Sequence, residues 1–145
     1  MPCDIRVDIV YGVKGDKVGF LCVEDLKIQD DFDLKLKKEI VEFLLKTNAG
    51  SPKNRELTIN EKIYIFNNVL NFNQDAKLEN VREYIKNLSD VLDNEMPFGR
   101  DGFGNVYLVD LDSLLVRFYE YEKNNKTELM LLGEFSKILG VDNGI

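Results

Sequence analysis

Apolar residues at Ile5, Val7, Ile9 and Tyr11 alternate with Arg6 and Asp8, and the alternation resumes at Val18, Phe20 and Cys22 beyond Lys14-Gly15-Asp16. A period of two interrupted by a glycine turn predicts a hairpin. After the acidic connector Glu24 to Asp33 the period lengthens. Leu34, Leu36, Ile40, Val41, Phe43, Leu44 and Leu45 then share one helical face, interleaved with Lys35, Lys37, Lys38 and Glu39. Asp33 is placed to cap this helix. Asn48-Ala49-Gly50 and the cluster Ser51-Pro52-Lys53-Asn54 stop it, because glycine takes the left-handed C-cap and proline cannot prolong a helix.

Ile63 to Phe66 is a strand-like run of β-branched and aromatic residues, while Val69, Leu70 and Phe72 beyond it suit strand and helix equally. Leu78, Val81, Tyr84, Ile85 and Leu88 are spaced by threes and fours, an amphipathic helix with Asp75 as its cap. Asp90 to Asn105 reads as a glycine- and acid-rich loop. Strands follow at Val106–Leu111 and Leu115–Tyr121, joined around Asp112-Ser113. A last helix is expected from Glu128 to Leu139, with Leu129, Leu132, Phe135, Ile138 and Leu139 on one side and Gly140 as its stop. No repeat, low-complexity tract or linker interrupts the chain. The expectation is one α+β domain over residues 1–145, an antiparallel β-sheet flanked by helices, with residues 1–25 as a hairpin-like amino-terminal segment.

Composition narrows the function. The 145 residues are 44% hydrophobic, enough for one sizeable core, and no apolar run approaches the roughly 20 residues of a spanning helix. No basic segment leads into an apolar run at the amino terminus, so no signal peptide is expected. The 26 acidic side chains against 19 basic ones give a net charge of −7, which disfavours nucleic acid and anionic membrane as partners and favours a basic protein. With no histidine, the chain lacks the residue most used as general base and metal ligand near neutral pH. A turn at Lys14-Gly15 or Gly15-Asp16 would set Cys22 opposite Val7 or Ile9, far from Cys3. Two reduced thiols in a cytoplasmic protein are therefore expected.

The motifs that invite chemistry are weak ones. Gly99, Gly102 and Gly104 resemble a phosphate loop only in glycine content, because such loops follow a strand and open a helix, whereas this one opens a strand. Asp101, Asn105, Asp110 and Asp112 offer oxygen ligands to a hard cation without the twelve-residue calcium-loop spacing. Cys22 has no imidazole to activate it. No catalytic residue, metal site or cofactor is expected. Alternation along the last strand puts Arg117, Tyr119 and Tyr121 on one face, which suits a protein-contact surface and half-buried sheet packing equally.

Three stretches resemble the SUKH superfamily, which includes fungal cell-wall assembly regulators and many bacterial immunity proteins. Val41 to Asn54 is similar to the family's helix ending in Phe-Leu and its Asn-Gly-Gly-x-Pro turn, here with Ala49 at the second position. Met96-Pro-Phe-Gly-Arg-Asp-Gly-Phe-Gly-Asn-Val-Tyr107 is similar to its Pro-Phe-Gly-x-Asp-x-x-Gly-Asn motif, and Gly133 to Leu139 to its closing helix. The family often begins with a helix and a Leu-Pro pair where this chain has its hairpin-like segment.

The resemblance implies a non-enzymatic, cytoplasmic immunity protein that neutralises a cognate bacterial toxin, of nuclease type, by occluding its active site. The alternative is a regulatory or scaffold module like the cell-wall assembly regulators. The resemblance assigns Asn48, Gly50, Pro52, Pro97, Phe98, Gly99, Asp101, Gly104 and Asn105 mostly structural roles. Partner contact is expected from Asp30, Asp31, Asp110, Asp112, Arg117, Tyr119, Glu120 and Tyr121.

Overall fold

The computed structural model describes residues 23–141. The expected hairpin from residue 5 and both cysteines lie outside the described residues. A 3-10 turn, Val23–Lys27, runs into the short helix α1 (Ile28–Asp31). The helix α2 (Lys38–Thr47) begins four residues later than the hydrophobic face suggests. Leu34 and Leu36 are held back by Gln29, whose carbonyl and side-chain oxygens accept their N–H groups at 2.8 and 3.1 Å. Asp33 is a left-handed residue at φ 52° and caps nothing; Lys37 takes the N-cap position.

A hairpin of β1 (Glu56–Ile59) and β2 (Lys62–Ile65) precedes the short β3 (Asn68–Val69). The helix α3 (Val81–Asn87) is capped by Asn80, whose side-chain oxygen accepts the Arg82 N–H at 3.0 Å. Asp75 does not cap it. Asn80 is fixed for that role by donating to the loop carbonyls of Asn73, Gln74 and Ala76, so the helix starts too late to include Leu78, which is 80% exposed.

Four strands complete the chain: β4 (Glu95–Arg100), β5 (Val106–Asp110), β6 (Leu115–Glu120) and β7 (Asn125–Leu131), followed by α4 (Leu132–Leu139). Together β3 to β7 form one antiparallel sheet in sequence order. Two expectations are corrected here. The stretch 90–105 is not all loop, because Glu95–Arg100 is an interior strand. Its proline and glycine are tolerated because the register shifts between Pro97 and Gly99, and the Phe98 carbonyl accepts instead from the Leu70 N–H at 2.8 Å. The last helix does not begin at Glu128. Residues 125–131 pair with β6, so Leu129 belongs to a sheet edge and only Leu132–Leu139 is helical. Gly140, at φ 88°, ends that helix as expected.

The sheet is covered on both faces. Phe43 of α2 and Phe135 of α4 pack with Phe66, Phe98, Tyr107 and Phe118 in a chain of ring contacts 4.9 to 6.2 Å between centroids. On the opposite face Val106, Leu108 and Tyr119 meet Leu88, with Tyr84, Val91 and Leu92 packed against them. This is an α+β fold, built as the alternation in β5 and β6 requires: odd positions of β5 face one layer and even positions the other.

Candidate functional site

The turn after α2 and the glycine-rich loop after β4 meet the same segment, residues 65–72, from two sides. Asn48 is fully buried; its side-chain oxygen accepts the Phe72 N–H at 2.6 Å, and its amide donates to Asn73 at 3.0 Å. Ala49 donates to Leu70, and the Gly50 carbonyl accepts from Val69. The left-handed position falls on Ala49, at φ 62°, and not on Gly50. Pro52 is buried beside them. From the other side, the Arg100 carbonyl accepts from Asn67 at 2.8 Å, and the Tyr107 hydroxyl donates to Ile65 at 2.6 Å. Burial, with the charge of Asp101 nearby, pushes the Tyr107 phenol above its ordinary pKa. Gly99 touches this segment so closely that a Cβ there would lie 2.4 Å from Cε2 of Phe66.

Asp101 is buried and organises the loop that follows. Its Oδ1 accepts the N–H groups of Phe103 and Asn105 at 2.7 and 3.0 Å, and its Oδ2 accepts the Asn105 side-chain amide at 2.8 Å. The Asn105 oxygen in turn accepts the Tyr121 N–H at 3.0 Å. Gly102 and Gly104 adopt φ 89° and 97° on either side of Phe103. The result is a tight turn that presents Phe103, 78% exposed, at its tip.

The positions expected to contact a partner are not gathered in one place. Asp30 and Asp31 are exposed on α1. Asp112 is exposed at the β5–β6 turn, where its carboxylate accepts from Asn94 at 2.8 Å and its carbonyl from Lys37. Glu120 and Tyr121 lie at the other end of β6, some five residues or roughly 17 Å away along the strand.

Three of the expected contact residues have partners inside the fold. Tyr119 is buried, because β6 is interior and the 84–92 segment covers that face. Asp110 accepts the N–H groups of Asp112 and Ser113, both at 2.9 Å, and pairs with Arg117 at 3.1 Å. The Ser113 and Asp112 amides and the guanidinium outweigh burial and hold the Asp110 carboxyl down at about 2. Arg117 also meets Glu95 at 2.8 Å and Glu128 at 3.5 Å. Burial works against its charge, but the bonds to Glu95 and Asp110 prevail and raise its pKa. Glu95, 3% exposed, accepts from Lys126 as well, so one interior carboxylate holds β4, β6 and β7 together. Sequence reasoning missed Glu95 because it sits in the stretch read as loop.

Two clefts open between these elements. One, of about 510 Å³, lies between α2, α4 and the β5–β6 turn, floored by Phe43, Leu114 and Leu132 with Glu39, Glu42, Glu134 and Lys137 among its lining. The other, of about 370 Å³, lies between the Phe103 loop and the β6–β7 turn. Phe103 was not singled out from sequence, although a large apolar residue between two glycines was the available signal. Among the described residues, no three His, Cys, Asp or Glu side chains are grouped to hold a metal ion, and no helix is long and apolar enough to cross a membrane.

A protein-family model, described as SMI1 / KNR4 family (SUKH-1), matches residues 24–130. The match contains both turn motifs and the β3–β7 sheet to its last strand, and it ends before α4. No curated protein and no solved structure matches the chain.

Proposed function

Because the chain belongs to the SMI1 / KNR4 family (SUKH-1), we propose that it is a non-enzymatic immunity protein, which binds a basic bacterial toxin domain of nuclease type in the cytoplasm and occludes its active site. The observation that carries this reading is the division of labour among the acids. Those inside are committed to internal partners: Asp25 to Asn73 and Gln74, Glu95 to Arg117 and Lys126, Asp101 to its own loop, Asp110 to a turn and Arg117. Other acids, such as Asp30, Asp31, Asp112 and Glu122, face outward on a chain whose net charge is −7. Such a surface steers a basic partner into encounter and offers carboxylates where a nuclease expects phosphates.

Asp30, Asp31, Asp112, Glu120 and Tyr121 are the contact positions of this reading, and the residues of the two turn motifs keep the loops in shape. The test is to mix the purified protein with the basic toxin domain encoded beside its gene and to follow nucleic-acid cleavage. The expected result is stoichiometric, salt-sensitive inhibition through a one-to-one complex. Undiminished cleavage with no complex would remove the immunity role, and a stable complex with a non-toxic cellular protein would replace it with a regulatory one.

A further inference from the structure

The cleft beside the Phe103 loop carries a more specific assignment. Its walls are Phe103, 78% exposed, and Tyr121, 67% exposed, two large rings left in water by a chain that buries most others. Neither wall is loose. Gly102 and Gly104 take left-handed conformations that direct the backbone around Phe103, and Asp101 ties that turn internally. The Asn105 side chain then bonds the Tyr121 N–H at 3.0 Å, which fixes one wall to the other. The fold thus holds two exposed aromatic side chains on one cleft.

The charges around the rings are unequal. Lys123 is engaged by Glu120 at 3.4 Å, whereas Glu122 has no ion pair among the described residues. A carboxylate with no ion pair among the described residues, lining one cleft with two exposed aromatic side chains, matches one side chain best. The guanidinium of arginine is planar, stacks on aromatic faces and pairs with carboxylate at the same time. We propose that this cleft is a receptor for an arginine side chain of the protein's basic partner, stacked on Phe103 and Tyr121 and paired with Glu122. The proposal rests on the reading of the chain as a binder of a basic protein, and it names where that partner is held.

The test uses the capped tripeptide acetyl-Gly-Arg-Gly-amide, titrated at low salt into the protein while backbone amide resonances are followed. Saturable shifts confined to residues 102–105 and 120–123 are expected, with the citrulline counterpart, which keeps the shape and loses the charge, bound far more weakly. Phe103→Ala, Tyr121→Ala and Glu122→Gln, all at the surface, should each weaken the arginine peptide about three- to fivefold. Shifts spread over the whole acidic surface, equal binding of the citrulline peptide, or variants that bind as well as the parent would each overturn the assignment. So would self-association of the protein abolished by Phe103→Ala, which would give the cleft to a second copy. Because the titration contains no toxin, it is read separately from the immunity test. A failed titration alongside intact neutralisation rejects the arginine receptor alone, and the reverse pattern rejects the immunity role alone.

Discussion

Asp110 and Asp101 are single carboxylates whose hydrogen bonds set the shape of a turn, and each yields a measurable energy. The Asp110 carboxyl titrates at about 2 in the folded chain against 3.8 in its ordinary state. A depressed folded pKa contributes stability that is complete above the unfolded value and is lost as pH falls from about 4 through 2. With solvent screening at this turn, that contribution is about 1 kcal/mol. Urea unfolding across this range should show the loss, and Asp110→Asn should remove both the stability and that part of its pH dependence. Asp101→Ala strands two loop N–H groups and an amide, and should cost about 2 kcal/mol in the same assay. Gly99→Ala places a Cβ against Phe66 and should cost about 1–3 kcal/mol through overpacking. Gly99 and Asp101 were legible in the sequence as parts of a motif, but what Gly99 packs against was not, because Phe66 is far away along the chain.

At the scale of elements, periodicity predicted types better than limits. α2, β5 and β6 are the element types the pattern predicts, α2 because it buries one face and the two strands because their alternate residues enter the layers on either side of the sheet. α2 starts late because Gln29 holds Leu34 and Leu36 back in extended chain, and β4 was hidden because its proline and glycine are poor strand formers that only a bulge and a neighbouring segment make acceptable. β7 read as helix because Leu129 and Leu132 are three apart, and only pairing with β6 decides otherwise. Two predictions belong here. Phe135, fully buried among Phe66, Phe98 and Tyr107, docks α4 on the sheet, so Phe135→Ala should cost about 3–5 kcal/mol in chemical denaturation. Glu95→Ala leaves Arg117 and Lys126 without their shared buried anion and should cost about 3–5 kcal/mol, measured in the same way.

For the whole molecule the governing quantity is charge. Replacing Asp30, Asp31 and Asp112 with lysine changes the net charge by 6, from −7 to −1, at exposed positions. Stopped-flow association with a basic partner should slow by about tenfold or more at low salt, and its salt dependence should flatten. Folding stability should stay within about 0.5 kcal/mol, since the substitutions are at the surface. An association rate that did not change would show that these acids play no part in steering. The sequence by itself determined the α+β class, the acidic surface, the principal helical and strand faces and the family motifs, because each is a local pattern or a sum over residues. Tertiary structure decided which acids are spent inside, that Tyr119 is buried while Phe103 is not, and that a turn at 48–52 and a loop at 97–105 clamp one segment between them. Those outcomes depend on which distant elements pack together, and no local period or composition encodes such a pairing.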